Sequence, residues 1–200
     1  MSGDVTIRRV SGRDLAPWLD DVARLRIRVF RDWPYLYDGD LAYEQEYLRA
    51  YADSADSVVV LAFDGDTVVG ASTGLPLADD TLEFQQPFLD AGLPVDDVFY
   101  FGESVLLPDY RGRGIGHRFF DERETHAAAL GRFNWTAFCA VERDENDPRR
   151  PEGHRGNEDF WTKRGYHRCP QMVVRLAWRE QGSDMASEKS LIFWRRRLSH

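Results

Sequence analysis

Alternating and β-branched apolar stretches predict strands in the first half of the chain. Residues 5–10 alternate apolar with polar side chains, which is typical of a strand with one buried face. Residues 57–63 and 67–75 are β-branched runs separated by Asp64-Gly65-Asp66. Because Asp-Gly between two apolar runs is a strong hairpin signal, we expect these runs to pair as antiparallel strands.

Apolar residues spaced three and four apart predict helices between and after these strands. One helix is predicted over 15–30, after Asp14, a residue type favoured at the N-cap. Further helices are predicted over 41–51, 114–130, 157–164 and 188–198, and further strands over 98–107, 133–141 and 171–178. Residues 78–97 are mixed and acidic, which favours a loop or an irregular helix.

The order of these elements predicts a mixed α/β fold. Antiparallel strands come first and a strand–helix–strand crossover comes later, so one sheet should contain both kinds of pairing. A main domain over residues 1–180 is followed by a C-terminal extension over 181–200, which is predicted to be helical. Its apolar run 191–194 needs a cover, either on its own domain or on a second subunit, so a homodimer is possible on this pattern.

Composition narrows the class of protein. Two cysteines exclude a disulfide framework and favour a reducing compartment, and the apolar runs are too short to span a bilayer. Residues 1–107 hold 8 Arg against 20 Asp and Glu, a formal charge of −12, whereas residues 108–200 hold 18 Lys and Arg against 14 Asp and Glu, a charge of +4. We therefore expect a cytoplasmic protein that binds neither nucleic acid nor membrane, and whose basic half holds an anionic ligand.

The glycine-rich turn after the strand over 98–107 carries the strongest chemical signal. Its sequence is Leu107-Pro108-Asp109-Tyr110-Arg111-Gly112-Arg113-Gly114-Ile115-Gly116, and a helix begins there. Glycines allow close approach of a ligand, and the free N–H groups at a helix start suit a pyrophosphate. A P-loop needs a lysine that this turn lacks, and a dinucleotide fingerprint needs glycine where His117 stands.

This turn resembles the coenzyme A signature of the GCN5-related N-acetyltransferases (GNAT family). Arg111, Gly114 and Gly116 occupy the motif positions, and the resemblance covers residues 5–178. It implies a central, mostly antiparallel sheet whose fourth and fifth strands splay apart to admit acetyl-CoA, with helices on both sides. It also implies direct transfer of the acetyl group to an amine, in a ternary complex without a covalent intermediate. The five histidines lack the spacings typical of metal sites, so no metal is expected.

The same resemblance implies the residues that would hold the coenzyme. Backbone groups near Val105 and Leu107 would pair with the pantetheine arm, and an N–H near Val105 would polarise the thioester carbonyl. The whole set of expected cofactor-binding residues is Val105, Leu106, Leu107, Arg111, Gly112, Arg113, Gly114, Ile115 and Gly116.

Glu103 is the candidate catalytic base, acting directly or through water. An alkylamine is mostly protonated near neutral pH and must lose a proton before it attacks. Strand alternation would place Glu103, Val105 and Leu107 on one face, with Tyr100 and Ser104 on the other. The alternative is a structural carboxylate that pairs with an arginine.

One position departs from the family pattern. Trp161 stands where many relatives have a tyrosine that protonates the leaving thiolate, and an indole N–H is no proton source. Solvent is the first candidate for that role, and Tyr100, Tyr110 and Tyr166 are the others. Cys139 is interpreted as small core filling rather than as an acyl-carrying nucleophile. His154 could face the site.

The aromatic and acidic segment 33–40 is the candidate acceptor site. Trp33, Tyr35 and Tyr37 could enclose an organic ammonium by cation–π contacts, and Asp38 would add charge attraction. Packing of Trp33 and Tyr35 onto the core is the alternative.

The resulting hypothesis is an acetyl-CoA-dependent N-acetyltransferase that acts on a small cationic amine. A second hypothesis is a coenzyme A-binding sensor or interaction module of the same fold that lacks catalysis. A third is an enzyme of this fold that uses another acyl group or a hydroxyl acceptor.

Overall fold

The computed structural model describes residues 4–199. The strands are β1 (Thr6–Ser11), β2 (Val58–Asp64), β3 (Thr67–Pro76), β4 (Val98–Leu106), β5 (Trp135–Val141), β6 (His167–Arg179) and β7 (Ala186–Arg197). The α-helices are α1 (Leu19–Phe30), α2 (Leu41–Asp53), α3 (Leu82–Asp90), α4 (Ile115–Ala129) and α5 (Glu158–Lys163). The helix predicted over 15–30 is divided, because Gly12–Trp18 forms a 3-10 helix that contains Pro17 before α1 begins.

The strands of the described chain form one seven-stranded sheet in the order β1-β2-β3-β4-β5-β7-β6. Neighbours pair antiparallel except for β4 and β5, which run parallel and pair only from Val98 to Tyr100 against Trp135 to Ala137. Beyond these residues the two strands have no further paired positions, so the sheet opens between them. The predicted mixed α/β sheet with splayed fourth and fifth strands is therefore confirmed.

Apolar residues form two clusters that correspond to the two faces of the sheet. One cluster joins the sheet to α1, α2 and α3, and the other joins it to α4. In β4, Tyr100 belongs to the first cluster and Phe101 to the second, as strand alternation requires. The helices therefore cover both faces and leave the opening between β4 and β5 as the place where a ligand could enter the sheet.

The prediction of a C-terminal helix over 188–198 is wrong. Ala186–Arg197 forms β7, which lies between β5 and β6 and pairs with both. The apolar run 191–194 is buried because Phe193 faces the first cluster and Trp194 faces the second. A strand covered on both faces has no period-two pattern, and a short apolar run of that kind is ambiguous between helix and strand.

Candidate active site

A cavity of about 900 Å³ lies where β4 and β5 diverge. Its walls include residues of both strands, of α4 and α5, of the glycine turn and of the loops that follow α1 and β5. The cavity thus connects the glycine turn at the start of α4 with Glu103 and with the aromatic segment after α1.

Leu106, Arg111, Gly112, Gly114 and Gly116 border this cavity. The other expected cofactor-binding residues, Val105, Leu107, Arg113 and Ile115, are not among its lining residues. Val105 and Ile115 are buried in the core, and Leu107 packs against both clusters. The Arg113 guanidinium donates to the Asp109 carbonyl at 2.7 Å.

The backbone of the turn suits a phosphate ligand. Gly112 and Gly114 have φ values of 75° and 77°, which favour glycine, and a Cβ at either position would meet no atom within 4 Å. Gly114 is the N-cap of the 15-residue helix α4, whose first N–H groups lack intrahelical acceptors. Open space, free amide donors and the nearby Arg111 side chain therefore fit the pyrophosphate of coenzyme A.

A bulge in β4 decides where the Glu103 side chain lies. Ser104 pairs with Ser72 and Phe101 with Gly74, so Gly102 and Glu103 both lie opposite Thr73. The extra residue reverses the alternation, and Glu103 therefore points to the same face as Tyr100, toward α1 and α2. The expectation that Glu103 and Tyr100 occupy opposite faces is wrong for this reason.

Glu103 borders the cavity but is strongly held. Its Oε2 lies 2.5 Å from Arg26 Nη1 and accepts a hydrogen bond from the Tyr47 hydroxyl at 3.0 Å. Its Oε1 is buried and has no hydrogen-bond partner among residues 4–199. The arginine pair considered as the alternative for this carboxylate is present, and the second carboxylate oxygen is left without a hydrogen-bond partner in the described chain.

Arg123 of α4 holds the bulge from the other face of the sheet. Its guanidinium donates to the carbonyls of Thr73 and Glu103, each at 3.1 Å, and to Ser104 Oγ at 2.8 Å. Burial lowers the pKa of Arg123 to about 10, so the side chain remains cationic at neutral pH. Three hydrogen bonds from this one side chain therefore stabilise the bulge.

Gly102→Ala is expected to destabilise the protein by about 2 kcal/mol through overpacking at the bulge. A Cβ at this position would overlap with the Tyr51 hydroxyl and lie 2.6 Å from Thr73 Oγ1. Urea unfolding measures the effect. Gly116→Ala is the matched control, because its Cβ would meet only Phe160 at 3.8 Å and alanine favours the helix. Equal stability of Gly102→Ala and wild type would contradict the geometry.

Of the four expected acceptor-binding residues, two border the cavity and two do not. Trp33 and Tyr35 border the cavity, and the Tyr35 ring packs 4.5 Å from that of Phe30. Tyr37 and Asp38 are not among the lining residues. The backbone of Tyr37 forms an isolated antiparallel β-bridge with Glu180, directly after β6. The Asp38 carboxylate forms an ion pair with the Arg179 guanidinium at 2.7 Å.

Arg143 is a site residue that the sequence analysis missed. Its Nε donates to the Pro34 carbonyl at 2.6 Å and its Nη2 to the Tyr35 carbonyl at 3.0 Å, while Nη2 also lies 2.6 Å from Glu180. Arg143 therefore holds the aromatic segment against the cavity. It lies in a polar loop among other charged residues, and no local pattern distinguishes it from them.

The three tyrosines considered as proton donors are engaged outside the cavity lining. Tyr110 donates to Asp64 at 2.7 Å, Tyr166 donates to Glu124 at 3.0 Å, and the Tyr100 hydroxyl lies 3.2 Å from Cys139 Sγ. Trp161 does border the cavity and packs edge-on against Phe138 at 5.0 Å. None of the three tyrosines is a lining residue of the cavity, and solvent stays the first candidate for the proton donor.

Cys139 and His154 both border the cavity. Burial raises the pKa of the Cys139 thiol to about 12, so this side chain is not a thiolate at neutral pH. The His154 ring lies 6.3 Å from that of Trp33, edge to face. Within residues 4–199, no three His, Cys, Asp or Glu side chains are grouped so that they could hold a metal ion.

The class that this fold and site define is that of the acetyltransferases. The model of the acetyltransferase (GNAT) family matches residues 21–167, and the chain belongs to this family. The resemblance noted in the sequence is thereby confirmed. Comparison with curated proteins finds no sequence match.

Solved structures share the fold over nearly the whole chain. An aminoglycoside 6'-N-acetyltransferase complexed with coenzyme A is 16% identical, covers 98% of each chain and has a TM-score of 0.60. A ribosomal-protein-alanine N-acetyltransferase from Brucella melitensis is 15% identical, with 96% of this chain and 99% of that chain covered and a TM-score of 0.58. A protein from Salmonella typhimurium, solved with its cofactor acetyl-CoA, is 11% identical, with 99% and 96% covered and a TM-score of 0.57.

Across residues 4–199, none of the helices has the length and apolar character needed to cross a membrane.

Proposed function

We propose that the protein transfers an acetyl group from acetyl-CoA directly to the amine of a small cationic acceptor. The observation that carries this proposal is a single cavity that joins the phosphate-type glycine turn to a buried carboxylate and an aromatic segment. Holding two substrates side by side in one cavity lowers the entropic barrier to their reaction.

Gly112, Gly114 and Arg111 would hold the pyrophosphate, and Leu106 would border the pantetheine arm. When bound, acetyl-CoA supplies an activated acyl group as a thioester. The chain's own contribution is to orient that group through the opening between β4 and β5, where backbone amides are not paired across the two strands.

Glu103 is the proposed base for the acceptor. The ammonium N–H bond breaks as a proton passes to a Glu103 oxygen, directly or through water, and the freed nitrogen lone pair then attacks the acyl carbon. The C–N bond forms as the C–S bond breaks. The nitrogen, which is now positively charged again, releases its second proton to solvent to give the neutral amide, and solvent protonates the departing thiolate. Direct attack is supported by the protonated state of Cys139, which makes it a poor nucleophile.

The preference for a cationic acceptor rests on Glu103 and the two aromatic residues that line the same cavity. Trp33 and Tyr35 present ring surfaces that can contact an organic ammonium.

Both cysteines are free, as expected in a reducing compartment. A cytoplasmic location, a homodimer and the lack of nucleic-acid or membrane partners stay predictions.

A coenzyme A-binding sensor is the second candidate, since Arg26 engages Glu103 and tryptophan occupies position 161. Free thiol release from acetyl-CoA distinguishes the acetyltransferase from the sensor. The acceptors to be compared are alkylamines, diamines, α-amino acids and alcohols of matched size. Release with the cationic amines, together with acetylated product by mass spectrometry, supports the proposal. Coenzyme A binding without thiol release for any compound would favour the sensor. Release with alcohols alone would point to a hydroxyl acceptor.

A further inference from the structure

Two buried carboxylates share one guanidinium next to the cavity. Arg26 Nε contacts Glu44 Oε2, and Arg26 Nη1 lies 2.5 Å from Glu103 Oε2. The side chains of Glu44, Glu103 and Arg26 are 0%, 3% and 9% exposed. Of the three, only Glu103 borders the cavity. We call this group the charge triad.

The charge triad has more negative than positive charge when both carboxyls are ionised. Burial alone would lower the pKa of Arg26, but Glu103, Tyr47 and Glu44 raise it well above its ordinary value, so the guanidinium is cationic. Among residues 4–199, Arg26 is the only ion-pair partner of either carboxylate. One cation therefore serves two anions.

The neighbouring groups do not balance this excess at the carboxylates themselves. Arg123 reaches only the backbone carbonyl of Glu103 from the opposite face of the sheet. Beyond the larger effect of burial, the charge of Glu103 raises the pKa of Arg123 by attraction and the pKa of Asp80 by repulsion, so these two neighbours are a cation and a further acid. Glu103 Oε1 is buried without a hydrogen-bond partner in the described chain, whereas Glu44 also interacts with the Tyr37 side chain. An unpaired buried charge is costly, so a ligand that balances it gains affinity.

We propose that the charge triad is the element that recognises the positive charge of the acceptor, with Glu44 as a specificity-determining residue that acts through Arg26. This inference rests on the proposed function. A protonated amine beside Glu103 would complete a cluster of two carboxylates and two cations. Without the charge of Glu44, Arg26 and Glu103 form a neutral pair that has little net attraction for a cation.

Thermal unfolding tests the charge triad without any acetyl transfer. Ethylammonium chloride should raise the midpoint of the wild type by about 2–4 °C over sodium chloride of equal ionic strength, because it binds the folded state. Glu44→Gln should lose this response. Glu46→Gln is the matched control, since Glu46 lies on the same helix, is 72% exposed and pairs with Arg49 outside the site. If Glu46→Gln also loses the response, ethylammonium acts on the overall negative charge of the protein rather than on the charge triad, and the proposal is overturned.

Glu44→Gln and a second variant, Arg26→Met, are expected to differ in unfolding midpoint, because one removes a negative charge from the charge triad and the other removes its positive charge. Glu44→Gln removes the excess charge and should unfold at or above the midpoint of the wild type. Arg26→Met leaves two buried carboxylates without a cation and should lower the midpoint strongly or prevent folding. A Glu44→Gln protein as destabilised as Arg26→Met would show a purely structural ion-pair network and would overturn the proposal.

Steady-state kinetics with the best amine of the panel separates recognition from folding. Glu44→Gln should raise KM for the amine about tenfold while KM for acetyl-CoA stays within about twofold of wild type. An unchanged amine KM with a lower kcat would contradict the assignment of Glu44. If no amine in the panel is acetylated, the proposed function fails, whereas the ethylammonium response still decides the charge triad.

Discussion

Glu103→Gln is expected to lower kcat/KM for the acceptor amine about a hundredfold at pH 7, the usual size of a lost general base. The free amine makes up only on the order of a thousandth of an alkylamine at neutral pH, and its share rises about tenfold with each pH unit. The variant should therefore recover part of the loss as pH rises, and the wild type should gain less. Thiol release measured from pH 6 to 10 gives both profiles.

Two controls accompany this prediction. Glu145→Gln removes another carboxylate that borders the cavity, and it should leave the pH profile unchanged because Glu145 is exposed. The Kd of coenzyme A should be nearly the same in Glu103→Gln and wild type, since the Glu103 side chain contacts Arg26 and Tyr47 rather than the glycine turn. A Glu103→Gln enzyme with the pH profile of the wild type would show that Glu103 is structural and that the proton leaves by another route.

Gly114→Trp is expected to weaken coenzyme A binding by at least about a hundredfold, a loss of roughly 2.7 kcal/mol. Gly114 borders the cavity at the start of α4, and no atom lies within 4 Å of its Cβ position, so an indole would fill the space over the helix start. Isothermal titration with coenzyme A measures the change.

Backbone strain must be separated from blocked binding in this experiment. Any L side chain at the φ of 77° costs about 1–2 kcal/mol of stability. Gly131→Trp is the matched control, because Gly131 has a φ of 70°, open space around its Cβ position and no place in the cavity lining. Both variants should lose similar stability, and only Gly114→Trp should lose coenzyme A. Normal binding by folded Gly114→Trp would remove the glycine turn from the site.

Short-range patterns predicted the parts of the site that lie close together in the chain. The glycine turn occupies consecutive residues, and its chemistry depends on local φ values and on the start of one helix. The hairpin of β2 and β3 likewise follows from the Asp64-Gly65-Asp66 signal. The conformation of the glycine turn and of the hairpin depends on a few neighbouring residues, and the sequence pattern that predicts each feature consists of those same residues.

The surroundings of Glu103 could not be predicted in this way. Arg26 of α1 and Tyr47 of α2 contact its side chain, Glu44 of α2 contacts Arg26, and Arg123 of α4 donates to its backbone carbonyl. The bulge at Gly102 and Glu103 depends on pairing with β3, so strand alternation alone gave the wrong face.

The sequence by itself determined the class of fold, the family and the turn that suits a phosphate, because local conformational preference and apolar periodicity are properties of neighbouring residues. Only the tertiary structure decided that β7 enters the sheet, that Tyr37 and Asp38 lie outside the cavity lining, and that two carboxylates share Arg26. These features depend on contacts between distant segments. Such contacts form only when the whole sheet and its helices pack together.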